Sequence, residues 1–166
     1  RQERISISMD GKQSSTSKTD YKIRKGEPKD IPVCVKLAEQ GSYEVEIHAF
    51  DEDHVFLLTK KIQKDGVGVV LEADGEQVGY IGGVILPHPY DPRFNILQTC
   101  SYYIKPKHRN VWAIKLLKLY IEEAKKKDIH IVRMQARFAK DPVKMTKLYE
   151  RFGFEAQDIT FDLDIS

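Results

Sequence analysis

The sequence predicts a mixed α/β fold: one sheet with antiparallel hairpins in its middle and a β-α-β crossover after residue 95, in the order β-α-α-β-β-β-α-β-α-β. Three observations carry this. Apolar residues recur at helical spacing in four stretches, within 30–41, 51–64, 110–127 and 141–153. Between residues 66 and 105 the period falls to two. Each of the last two helical stretches follows a strand-like run, as in a parallel pair joined by a helix.

Residues 10–20, DGKQSSTSKTD, contain no apolar side chain, so residues 1–20 read as a flexible arm or linker, within which RISISM alternates like an edge strand. The domain proper spans residues 21–166. YKIRKG alternates as a short strand. Asp30 is placed to cap a helix with Pro32 in its first turn, Ile31, Cys34, Val35 and Ala38 form its apolar face, and Gly41 is expected to end it. YEVEIHAF fits a strand or a loop. From Asp51 to Lys64, Val55, Leu58 and Ile62 line a second amphipathic helix.

GVGVVLEA and QVGYIGGVIL flank DGE, a hairpin signature. PHPYDPR, with three prolines, is expected to be a loop, and NILQTCSYYIK the next strand. Asn110 to Lys127 is the strongest helix. Ala113, Leu117, Tyr120, Ile121 and Ala124 share its apolar face, and Glu122 and Glu123 precede Lys126 and Lys127 by four. IHIVRMQARF is a further strand. Asp141 and Pro142 open the last helix, which presents Met145, Leu148 and Phe152 and stops at Gly153. ITFDLDI alternates and is expected to close the sheet.

Composition narrows the function. In 166 residues the net charge is +2, which supplies no field for nucleic acid or an anionic membrane. No apolar run approaches a membrane span and no leader is visible, so the expected location is cytoplasmic. Cys34 and Cys100, in apolar patterns without a CxxC spacing, read as reduced, buried thiols. His48, His54 and His88 lack metal-ligand spacing, His130 opens a strand, and no metal is expected.

Two stretches carry chemistry. In KPKHRNVWAIKLL, residues 105–117, Pro106 ends a strand and a short basic loop feeds a long helix. The first helical amides and the helix dipole favour an anion, and Lys105, Lys107, His108 and Arg109 add donors. A solvated basic loop capping a core helix fits the same residues. In KMTKLYERFGF, Tyr149 stands beside the apolar face, and its phenol can protonate a leaving group. Filling space between helix and sheet is the plainer use.

Taken together these stretches resemble the GNAT superfamily of acyl-CoA N-acyltransferases. Its loop pattern V-x-P-x-x-R-G-x-G-x-G/A-x-x-L is matched by Ile104, Pro106, Arg109 and Leu117, and its L-Y-x-x-x-G-F ending by Leu148, Tyr149, Gly153 and Phe154. YKIRKGEPKDIPVCVKLAEQ looks like the family's opening strand and helix, and GEQVGYIGG like its central hairpin, so the likeness covers about residues 21–165. It implies a GNAT-like fold whose parallel strands, 95–105 and 129–138, splay to admit the pantetheine arm of acetyl-CoA. The arm pairs with backbone at Tyr103 and Ile104, and the pyrophosphate lies on the amides of Arg109, Asn110, Val111, Trp112, Ala113 and Ile114. An amine attacks the thioester directly, Tyr149 protonates the thiolate, and backbone amides hold the oxyanion. The family's glycines are replaced by Asn110, Trp112 and Ile114, as in divergent members, including ones of bacteriophage type. Trp112 then covers the adenine or fills a neighbouring hollow. In the family, the region of Glu44, Glu46, Asp51, Glu52 and Asp53 lines the acceptor pocket, where carboxylates would attract a cationic amine and could supply the base that the strand before the loop lacks. A solvated acidic surface is the other reading. The resemblance thus implies an acetyl-CoA-dependent N-acetyltransferase acting on a small-molecule or protein amine, with a homodimer open. The alternative is an inactive GNAT-fold binding or inhibitory module.

Overall fold

In the computed structural model, the residues described are 18–45, 49–136, 141–157, 163 and 165. Most of the expected arm, including RISISM, lies outside them, as does most of the closing strand expected over 159–165. The elements are β1 (Tyr21–Lys25), α1 (Ile31–Glu44), α2 (Glu52–Asp65), β2 (Val67–Ala73), β3 (Glu76–His88), β4 (Asp91–Ile104), α3 (Val111–Lys125), β5 (Ile131–Arg133) and α4 (Pro142–Arg151). Short 3-10 turns at Pro28–Asp30 and Pro106–His108 precede α1 and α3. The sheet order is β1-β2-β3-β4-β5, antiparallel through β4 and parallel between β4 and β5. This is the mixed α/β, GNAT-like fold that the sequence implies.

Three helix starts follow from their capping side chains. Asp51 accepts from the amide of His54, Asn110 from that of Trp112 and Asp141 from that of Lys144. Asp30 stands at the start of α1 as expected, but its carboxylate is used elsewhere. It takes both terminal nitrogens of Arg24, at 2.7 and 2.8 Å, and the Glu27 amide at 2.7 Å. Arg24 also holds Glu72 on β2, so one guanidinium ties β1, β2 and the entry to α1. Burial pushes the Asp30 carboxyl up, but Arg24 and the Glu27 amide outweigh it and hold it below its ordinary value.

The expected helix end at Gly41 is not a stop, since α1 runs on to Glu44. Gly41 is there for packing: a Cβ at this position would lie 2.9 Å from Cδ2 of the Tyr103 ring. The β2–β3 hairpin does turn at Asp74-Gly75, both with positive φ (51° and 82°), the left-handed pair of a type I′ turn. The stretch PHPYDPR is mostly strand rather than loop. Pro87 lies opposite Asn95 and His88 opposite Asp91, leaving only a tight turn between. Its prolines sit at the end of the ladder, where the register shifts and missing donors matter least.

The sheet is covered on both faces. Val67, Val69, Leu71 and Ala73 of β2 join Leu97 and Ile104 of β4 and Leu116, Leu117, Tyr120 and Ala124 of α3 in the larger core. Cys34 and Leu37 of α1 meet Val70 and Tyr80 in a smaller one, with Tyr103 packed against it. Cys34 is buried as read, and burial pushes its thiol up to about 11, whereas Cys100 is exposed rather than buried. Gly83 admits α3 to the sheet, because a Cβ there would lie 2.2 Å from the Tyr120 hydroxyl and 2.8 Å from the Gln98 carbonyl oxygen.

Gly83→Ala should therefore overpack this contact and lower stability by about 1–3 kcal/mol, seen as a Tm loss of several degrees. The Asp30 pairing should show in pH dependence. Its folded pKa is depressed, so its contribution is present above the unfolded value of about 3.9 and lost as pH falls through the lower folded value. The stability difference between wild type and Asp30→Asn should be full at pH 6 and shrink as pH drops below about 4. A difference constant from pH 6 to 3 in urea titrations would remove this role.

Candidate active site

The parallel pairing of β4 with β5 is short. Ile96, Leu97 and Gln98 face Ile131, Val132 and Arg133, and among the described residues the ladder ends there, although sequence alternation predicts a strand over 129–138. On its other edge β4 continues with β3 to Ile104. The cause lies in β4 itself. Gly83 faces Thr99 and Gly82 faces Ser101, so Cys100 is an extra residue in the ladder. Such a bulge bends its strand and increases the local twist, which turns β4 away from its parallel neighbour. The expected splay is thus present, with a mouth between β4 and the chain beyond β5.

At its base the Thr99 hydroxyl meets the Tyr120 hydroxyl at 3.0 Å and the Met134 sulfur at 3.1 Å, bridging the two strands just past the ladder. Higher up, the Tyr102 hydroxyl donates to the Ala113 carbonyl at 3.0 Å, bracing the free part of β4 against the first turn of α3. Sequence reading missed Thr99, Tyr102 and Tyr120 as parts of the site. Each looked like ordinary strand or core, and no local pattern marks hydroxyls that meet across the fold.

Tyr149 closes the mouth from α4. The sequence places it beside the apolar face, yet it is buried while Met145, Leu148 and Phe152 are half-buried. Its hydroxyl donates to the carbonyl of Gln135, just beyond β5, at a long 3.4 Å. Burial pushes its phenol up to about 12, so it remains a proton donor at any physiological pH. The motif around it has a local cause. Gly153 has φ 84°, its amide donates to Glu150 and that of Phe154 to Tyr149, and the Tyr149 and Phe154 rings stand 5.7 Å apart. This is a Schellman stop with its apolar contact, which ends α4 and packs Phe154 against the Tyr149 ring.

At the other side of the mouth, the basic loop is largely occupied by the protein's own contacts. Arg109 donates from Nε to the Ile104 carbonyl at 2.8 Å and grips both Glu44 oxygens at 2.5 and 2.6 Å. Its guanidinium lies 5.5 Å from the centre of the Tyr103 ring. Lys105 pairs with Glu76 at 2.5 Å. His108, expected to meet phosphate or solvent, is buried instead, with Nδ1 2.9 Å from the Tyr21 hydroxyl. Burial and the neighbouring lysines push its pKa below the ordinary value. Trp112 turns to β1 and stacks on Tyr21 at 5.5 Å and 22°, with the Lys115 ammonium 3.8 Å from its ring centre. This stack is a contact that neither of the two uses open for Trp112 named. Asn110 caps Trp112 and donates to the Tyr21 hydroxyl at 3.1 Å. Val111 and Ile114 expose their side chains.

The acidic cluster does not act as one group. Glu44 holds Arg109, Asp51 caps α2, and Glu52 and Asp53 are exposed in its first turn, while Glu46 lies outside the described residues. Among the described residues no cluster of His, Cys, Asp or Glu could hold a metal ion, and no helix is long and apolar enough to cross a membrane.

Residues 34–154 match the acetyltransferase (GNAT) family. No curated protein sequence is significantly similar to the chain. Among solved structures, a predicted acetyltransferase with acetyl-CoA from Clostridium acetobutylicum superposes with a TM-score of 0.71 at 17% identity, over 88% of this chain and 97% of that one. A glucosamine-6-phosphate N-acetyltransferase from Arabidopsis thaliana gives 0.66 at 16%, over 89% and 99%. A ribosomal-protein-alanine N-acetyltransferase from Brucella melitensis biovar Abortus 2308 gives 0.66 at 17%, over 89% and 100%. At these identities the structures speak for the fold, and the family match covers most of the domain, including the fork, the loop and Tyr149. The chain belongs to the GNAT family of acetyltransferases.

Proposed function

We propose that the protein is an N-acetyltransferase that moves an acetyl group from acetyl-CoA to an amine by direct attack on the thioester. The observation that carries this reading is Tyr149, buried at the mouth of the β4–β5 fork and held protonated by its surroundings. In the transfer a C–N bond forms, the C–S bond breaks, the amine loses a proton and the thiolate gains one. Tyr149 is suited to the last step, since its phenol sits at the fork and its hydroxyl donates to a carbonyl at a long 3.4 Å, a partner that a better acceptor can replace.

The donor arm enters along the free part of β4, at Tyr103 and Ile104, and its phosphate end passes the loop formed by Arg109, Asn110, Val111, Trp112, Ala113 and Ile114. Tyr102, braced on Ala113, keeps the strand and the loop in fixed relation. The acceptor approaches from the α1–α2 side. Structurally similar proteins act on an amino sugar phosphate and on a ribosomal protein alanine, as their names state, and these amines form the first assay panel. An inactive module predicts the opposite result in the binding test below.

Acetyl-CoA at a hundredfold excess over Kd should stabilise the protein by about 2.7 kcal/mol, read as a rise in Tm. No shift at millimolar ligand would sink the enzyme reading. Tyr149→Phe should lower kcat by roughly 10²–10⁴-fold with little change in donor affinity, because the lost group acts on the departing thiolate. An unchanged kcat would make Tyr149 a packing residue.

A further inference from the structure

Within the acetyltransferase reading, on which this inference rests, we infer that the site recognises its donor by the pantetheine thioester and gains little from the diphosphate and nucleotide. The reason is that most of the anion-binding groups of the loop are already used. The Arg109 amide donates to Pro106, the Asn110 amide to His108, the Ala113 amide to the Asn110 carbonyl, and the Trp112 amide to the Asn110 side chain. An amide pointing into its own loop offers no proton to a phosphate oxygen, and freeing it forfeits the bond it makes.

The cations tell the same story. Arg109 is the guanidinium that a diphosphate would need, and Glu44 already takes it in bidentate fashion while its Nε is fixed on Ile104. A diphosphate arriving there meets a carboxylate that must first be displaced. Lys105 is paired with Glu76, and Lys115 lies over Trp112. Two of the loop's outward side chains are apolar, with Val111 57% and Ile114 38% exposed, and Lys107 is the exposed cation left beside them. The Trp112–Tyr21 stack and the Asn110–Tyr21–His108 hydrogen bonds hold the loop in this form from β1. By contrast, the β4–β5 ladder ends at Gln98 and Arg133 while β4 runs on to Ile104, and although the Ile104 carbonyl accepts from Arg109, the β4 edge from Thr99 to Tyr103 is left to a donor arm. What the fold offers a donor is a strand edge for an amide-bearing arm, without a free cradle for its phosphates.

A pantetheine thioester is found on CoA and on the phosphopantetheine arm of a carrier protein. Titration of the full chain with CoA, phosphopantetheine and pantetheine, followed by calorimetry, separates the terms without an acceptor. The Kd values of CoA and pantetheine should agree within about tenfold, less than about 1.4 kcal/mol of nucleotide contribution. Phosphopantetheine binding clearly more tightly than CoA would support the inference and favour the carrier-borne arm; equal binding of all three would support it without favouring that arm over CoA. CoA binding by more than tenfold over pantetheine would overturn the inference and leave the acetyltransferase reading standing. Failure of all three to bind would remove both. The double variant Asn110→Gly/Trp112→Gly releases the cap and the stack. It should raise the CoA-to-pantetheine affinity ratio by about tenfold or more, and a ratio unchanged in the folded variant would also count against the inference.

Discussion

The site depends on the point at which β4 stops pairing with β5. One extra residue, Cys100, opposite the Gly82–Gly83 step bends β4, and the parallel ladder is held to Ile96–Gln98 and Ile131–Arg133. A strand freed from one neighbour inside a domain is exposed on an edge unless something braces it. Here Thr99 reaches Met134 and Tyr120 at the base, Tyr102 reaches Ala113 above, and Tyr149 reaches Gln135 across the mouth. The end of the parallel ladder is a product of sheet geometry, and hydroxyls anchor the freed edge on neighbouring elements.

The loop after β4 answers a different constraint. Glycines at its turns would leave amides bare to a ligand, because nothing near them competes. Asn110 and Trp112 instead supply a side-chain cap and an aromatic contact within the protein. Glu44 then fixes Arg109 from the end of α1, which itself is seated by Gly41 lying against Tyr103. A chain of contacts therefore links the loop to β1 on one side and to α1 on the other. These contacts are the ones on which the inferred selectivity for one part of the donor rests.

Some motifs were legible because their cause is local. The L-Y-x-x-x-G-F ending reads as a helix stop: Gly153 takes the left-handed position and Phe154 packs back on Tyr149, which fixes where that phenol stands. The Asp-Gly turn, the cap at Asp141 and the helix starts at Asp51 and Asn110 were legible for the same reason. Gly41, PHPYDPR and Cys100 misled because the deciding contact lay far off in sequence. Tyr103 is the reason for a glycine inside α1, a cross-strand partner carries Pro87 into the sheet, and the bulge puts Cys100 on the surface.

By itself the sequence determined the order of the described elements, the mixed sheet, the places where helices start and the candidates Tyr149 and Arg109, since period, capping and turn chemistry act over a few residues. Tertiary structure decided which hydroxyls meet at the fork, that Arg109 belongs to Glu44, that Trp112 faces Tyr21, and how far β4 and β5 pair. Those contacts join residues distant along the chain, 65 positions apart for Arg109 and Glu44 and 87 for Tyr21 and His108. No local pattern encodes them; the bend of one strand and the packing of helices on both faces of the sheet bring them together.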